Sequence, residues 1–110
     1  MEVKSQLARK IESGEFIVTA EHAPRTTATP AATEAALKAL GGKPTAVNMG
    51  DNQYGVAMFS LAASAVALKA GVEPVLQMVT RDWNRIALYP DLLGAASLGI
   101  TNVLCLSGYH

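Results

Sequence analysis

The chain has 110 residues, half of them hydrophobic, and its nine basic side chains are balanced by nine acidic ones. That length suits one small domain with a core and excludes a closed eight-stranded strand-helix barrel, which takes roughly 250 residues. Zero net charge provides no general field toward nucleic acid or an anionic membrane, so any polyanion must be held locally.

The start, Met1-Glu2-Val3-Lys4-Ser5, carries mixed charge and no apolar signal core, which predicts a cytoplasmic address. A leading helix is expected near Gln6 to Ile11, before a first β-prone run, Phe16 to Glu21. A proline-containing loop, His22-Ala23-Pro24-Arg25-Thr26, follows. Pro30 suits a first helical position, Glu34 and Lys38 form a four-apart pair, and Gly41-Gly42 ends that helix after Leu40. The second strand is Ala46 to Met49. The uncharged stretch from Asn52 to Leu68 falls short of the roughly 20 apolar residues that span a bilayer, so it predicts a buried helix and no membrane anchor. Met58, Leu61, Ala65 and Leu68 form its expected apolar face, with Gly71 as its stop.

A third strand is expected over Pro74 to Met78. Pro90 predicts an interrupted crossover, with a short helical turn from Trp83 to Leu88 and a helix from Pro90 to Leu98 closed by Gly99. The fourth strand, Asn102 to Leu106, contains the lone cysteine, Cys105. Its apolar setting predicts a core thiol in a protein of a reducing compartment.

Strands about 30 residues apart with helices between them make neighbouring strands parallel. Their continuous apolar runs predict a sheet covered on both faces. The fold class is therefore α/β, with residues 1–110 as one unit of about four strand-helix steps. An open doubly wound sheet and half of a barrel both fit. No helix follows the fourth strand, and a bare edge invites pairing, so a partner or a continuation is expected.

Polar groups follow every strand, on the rim where such folds gather their sites. Glu21 ends the first strand, and its apolar approach predicts desolvation and a carboxyl able to carry a proton near neutrality. The alternative is a surface acid neutralised by Arg25. His22 should point to the opposite side. The loop Gly50-Asp51-Asn52-Gln53-Tyr54-Gly55 lacks the spacing of a phosphate loop or dinucleotide fingerprint and could be a turn with a helix cap. Gln77 and Arg81 lie at the third strand end, where Asp82 could cap the next helical turn. Ser107-Gly108-Tyr109-His110 closes the fourth. No metal-ligand spacing is present, and no serine or cysteine nucleophile has a visible base.

The segments Phe16 to Glu21 with its proline loop, Val47-Asn48-Met49-Gly50-Asp51-Asn52, Val75 to Leu88, Asp91 to Ala95 and Asn102 to Gly108 together resemble the amino-terminal half of methylenetetrahydrofolate reductases. The resemblance covers nearly the whole chain, and its most specific block follows the third strand. It implies the first half of a (β/α)8 barrel that binds FAD at its carboxyl rim, with NADH or NADPH as possible electron donor, in one-carbon metabolism and methionine biosynthesis. Glu21 then matches a general acid that helps protonate 5,10-methylenetetrahydrofolate so that its ring opens, before hydride from reduced flavin yields 5-methyltetrahydrofolate. Gly50, Asp51 and Gln53 match a loop touching flavin or the nicotinamide donor, and Gln77 stands where some members carry histidine against the flavin. Ser107 and Gly108 match the loop lining the isoalloxazine ring. Tyr109 stands where the family usually carries aspartate.

The implied partners are a folate substrate and a second half-barrel or self-association, with half a site expected to retain flavin weakly. Two other functions fit the same residues: a non-catalytic half-barrel assembly module, and a pterin-binding methyltransferase-like barrel fragment that needs no flavin.

Overall fold

The computed structural model describes residues 5–108. The leading helix α1 (Gln6–Ser13) begins at Ser5, whose Oγ accepts from the Ala8 N–H at 3.0 Å. A second cap comes from far along the chain: the Glu73 carboxylate accepts from the N–H groups of Gln6 at 2.8 Å and Leu7 at 3.0 Å. A carboxylate is favourable at that end of a helix because the first amide groups lack intrahelical acceptors. Glu73 also accepts from Asn102 Nδ2 at 3.3 Å, so one side chain joins the leading helix to the entrances of two later strands.

After α1 come β1 (Thr19–His22), α2 (Pro30–Lys38), β2 (Ala46–Met49), α3 (Ser60–Lys69), β3 (Pro74–Val79), a 3-10 turn (Thr80–Asp82), α4 (Arg85–Leu98) and β4 (Val103–Leu106). The strands form one parallel sheet in the order β1-β2-β3-β4, which is a partial β/α barrel. Sequential order with a helix in every crossover follows from right-handed β-α-β steps laid side by side. Glu21 pairs with Asn48, Asn48 with Val75, and Gln77 with Leu104. Alternation along each strand therefore puts Glu21, Asn48, Val75, Gln77 and Leu104 on one face.

The opposite face meets the helices. Leu37, Val47, Met49, Ala63 and Ala67 form one buried cluster, and Leu76, Met78, Ala95 and Ile100 form a second. The buried positions of α3 are Ser60, Ala63, Ser64 and Ala67, not the expected stripe of Met58, Leu61, Ala65 and Leu68. Small side chains let α3 lie close to the sheet, while Leu61 and Leu68 reach sideways to the second cluster. That helix starts only at Ser60, because residues 52–59 form turns.

Three other expectations are corrected. Phe16 is 92% exposed and lies outside β1, so apolar composition misplaced the strand start. Pro90 sits inside one continuous α4. Its missing N–H would have served the carbonyl of exposed Ile86, which water can solvate instead, and Asn84, not Asp82, caps the helix through Ala87 N–H at 3.0 Å. Cys105 is exposed, because the outer strand β4 is largely uncovered, and the open hollow leaves the other face of the sheet without the expected cover as well.

Candidate functional site

The sheet face opposite the helices is an open hollow of about 410 Å³. Leu7, Val75 and Leu104 give it an apolar floor, and Glu21 and Asn48 add polar groups. Glu21 is exposed there, so the expected desolvation is not found. Its carboxylate makes no hydrogen bond or ion pair with any described residue, which also removes the neutralising pair with Arg25.

Behind Glu21, Asn48 Nδ2 donates to Gln77 Oε1 at 2.6 Å. Gln77 is only 3% exposed, and its backbone carbonyl accepts from Ser60 Oγ at 2.9 Å. Asn48 Oδ1 is buried without a hydrogen-bond partner. Buried acceptors of this kind are uncommon and are a reason to look for a ligand or a functional role. Asn48 was absent from the candidates drawn from sequence, because its pairing with Gln77 spans 29 residues and only the strand register reveals it.

The second rim loop divides its candidates. Asp51 is 2% exposed, and its Oδ2 accepts from the backbone N–H of Val79 at 2.9 Å, which fastens this loop to the end of β3. Its Oδ1 is buried and without a partner. The neighbouring Asp91 carboxyl is held above the usual range, first by burial and then by the negative charge of Asp51. Gly50 is buried and its N–H donates to the His22 carbonyl at 2.9 Å, so the first two rim loops lie against each other. Gln53 Nε2 donates to the Tyr54 hydroxyl at 3.3 Å, while its Oε1 is buried without a partner. Asn52, in left-handed backbone at φ 52°, accepts from Ala57 N–H through Oδ1 at 3.0 Å.

His22 has its Nε2 buried without a partner, and burial holds its pKa below the ordinary histidine value. Ser107 is exposed after β4. Gly108 has a backbone φ of 149°, which favours glycine, and a Cβ there would stand 3.1 Å from Cδ of the Arg81 side chain. Thr80 Oγ1 donates to the Leu106 carbonyl at 3.1 Å and joins the same two segments. Tyr109 and His110 lie outside the described residues.

Geometry thus gathers Glu21, Asn48 and Gln77 on one sheet face. It sets Gly50 and Gln53 in a separate cleft beside Arg25, and Ser107 and Gly108 at the far rim. Among the described residues no three His, Cys, Asp or Glu side chains could together hold a metal ion, and no helix is long and apolar enough to cross a membrane.

A parallel sheet in sequential strand order with a helix in each crossover is consistent with a partial β/α barrel, the class in which polar groups gather at the carboxyl ends of the strands. Residues 6–110 match the family described as methylenetetrahydrofolate reductase, and the chain belongs to that family. A search among curated proteins finds no match.

Proposed function

We propose that this chain is the flavin-binding and acid-bearing half of a methylenetetrahydrofolate reductase, which reduces 5,10-methylenetetrahydrofolate to 5-methyltetrahydrofolate. The observation that carries it is Glu21, exposed and without a partner beside an apolar hollow, in a chain of this family. The residues present fit a flat ring. Leu7, Val75 and Leu104 offer apolar contact, and Asn48 lines the same hollow beside Glu21. When bound, FAD would supply the hydride, with NADH or NADPH as the electron source.

Glu21 gives a proton to the folate amine nitrogen whose bond to the bridging carbon breaks. A carboxyl group with no competing hydrogen-bond partner is left to the substrate, and closure of the hollow around a bound ring would remove water from it. Asn48 and Gln77 hold the floor behind the acid, so the reacting groups meet a surface that does not rearrange. Ser107 and Gly108 serve the ring from the β4 end, and a tyrosine at sequence position 109, where the family usually carries aspartate, removes a negative charge that would oppose build-up of charge on the reduced ring.

Among the described residues β1 and β4 each pair on one side only, and the hollow is open between them, which supports completion of the site by a second half-barrel. The test is absorbance spectroscopy of the chain produced together with the polypeptide encoded downstream of it. A flavin spectrum and oxidation of 5-methyltetrahydrofolate with an artificial acceptor are expected. Absence of both ends the proposal. An assembled dimer that binds no flavin would favour the non-catalytic module instead, and pterin binding without flavin would favour the methyltransferase-like fragment.

A further inference from the structure

Helix α4 differs from the other helices on the side turned away from the sheet. Leu88 and Ala95 belong to the second core cluster and face inward. At about 3.6 residues per turn, Ile86, Tyr89, Pro90 and Leu93 fall on the opposite side. Ile86 is 79% exposed, Tyr89 63% and Leu93 73%, whereas among the described residues α2 and α3 leave no large apolar side chain exposed and α1 leaves only Ile11. A helix lying on a sheet normally shows polar or charged residues on that outer side. The charged residues of α4 are Arg85, at its first position, and Asp91, which is partly buried and off the stripe.

The direction of the stripe limits what can cover it. Neighbouring helices of one layer meet along their flanks, as α3 meets α4 where Leu61 lies beside Gly94. Helices added along the sheet by a second half-barrel therefore leave the outer face of α4 bare.

The stripe is complementary to a second copy of itself. Helices α1, α2 and α3 each carry a lysine in the last turn, Lys10, Lys38 and Lys69, and α4 carries no basic residue there. An antiparallel second copy brings its Arg85 toward that end, where the last carbonyls carry partial negative charge. In the middle of the stripe Pro90 has no N–H to give the Ile86 carbonyl. Antiparallel pairing sets the second copy's Tyr89 opposite Pro90, with a hydroxyl to donate. The exposed parts of Ile86, Tyr89 and Leu93 amount to about 500 Å² per copy and about 1,000 Å² in a pair, the lower bound for a specific interface.

We infer that two copies of this chain associate about a two-fold axis through antiparallel contact of their α4 helices, Ile86 of each against Leu93 of the other. The contact rests neither on the folate reduction proposed above nor on completion of the sheet at β1 and β4.

The test is sedimentation velocity of the full chain over a range of concentrations. The dimer fraction should rise with concentration. Leu93→Glu should weaken association by about 30-fold or more, the scale of a central interface residue. Leu93 is exposed in the single copy, so the circular dichroism of that variant should match the parent's and show that the fold persists. Tyr89→Phe removes only the hydroxyl and should weaken association by about fivefold, the scale of one hydrogen bond. A chain that stays monomeric up to about 1 mM, or Leu93→Glu dimerising like the parent, would overturn the contact. Tyr89→Phe dimerising like the parent would overturn the antiparallel pairing. Loss of the dimer on co-production with the polypeptide that completes the sheet would make that polypeptide, and not a second copy, the occupant of the stripe. Dimers formed through α4 in a protein that never takes up flavin would leave this contact standing and remove only the folate reductase reading.

Discussion

Asn48 Nδ2 donates to Gln77 Oε1 at 2.6 Å, and this bond joins the two central strands on the face that carries Glu21. Both residues lie largely out of water, so truncating one strands the other. Asn48→Ala should cost about 1–3 kcal/mol by removing the amide that donates to the buried Gln77 side chain. Replacing both residues by apolar side chains of similar shape should cost less than the two single changes together, as a double-mutant cycle in urea would reveal. Additive losses would mean that the pair does not act as a unit.

Asp51 offers a sharper separation of charge from geometry. Asp51→Ala removes the acceptor of the Val79 N–H and should destabilise by about 1–3 kcal/mol. Asp51→Asn keeps an acceptor oxygen and relieves the repulsion of Asp91, so its loss should be smaller. Thermal melts of the two variants at neutral pH decide the order.

Much of this architecture was legible in the sequence. The run Ala46 to Met49, the Pro30 helix start and the Glu34 to Lys38 pair, now 2.9 Å apart, are local features, and local features survive folding. Phe16 and Cys105 were misplaced because composition reports apolarity and not cover, and both stand at the margins of the sheet. Pro90 was misread because the cost of a lost helical bond depends on whether water reaches the orphaned carbonyl. Glu21 could be found from its place at a strand end, but Asn48 could not. Asp51 was read as a ligand contact, although its burial at the end of β3 gives it a structural task as well.

Titration provides two opposite signatures. Burial lowers the His22 pKa, so the stability linked to its neutral form is full above the ordinary imidazole value and is lost as pH falls through the lowered folded value. Burial and then Asp51 raise the Asp91 pKa, so its contribution is full below the ordinary carboxylate value and lost as pH rises through the raised folded value. His22→Gln should flatten the decline in Tm on the acid side of neutrality. Asp91→Asn should raise Tm near neutrality and lose that advantage in acid; an advantage that persists unchanged in acid would assign it to packing.

Glu73→Ala should release the start of α1, since its carboxylate caps Gln6 and Leu7. A loss of about 0.5–2 kcal/mol is expected for such a cap. Amide exchange should accelerate first in α1, and unchanged protection there would show that Ser5 alone suffices.

The most direct measurement concerns Glu21. Rapid mixing of the reduced, flavin-loaded assembly with 5,10-methylenetetrahydrofolate compares the parent with Glu21→Gln. Flavin reoxidation should slow by about 10²-fold or more in the variant, the scale of a lost general acid, while flavin reduction by NADH or NADPH stays as in the parent. Equal reoxidation rates in the two proteins would contradict proton donation by Glu21.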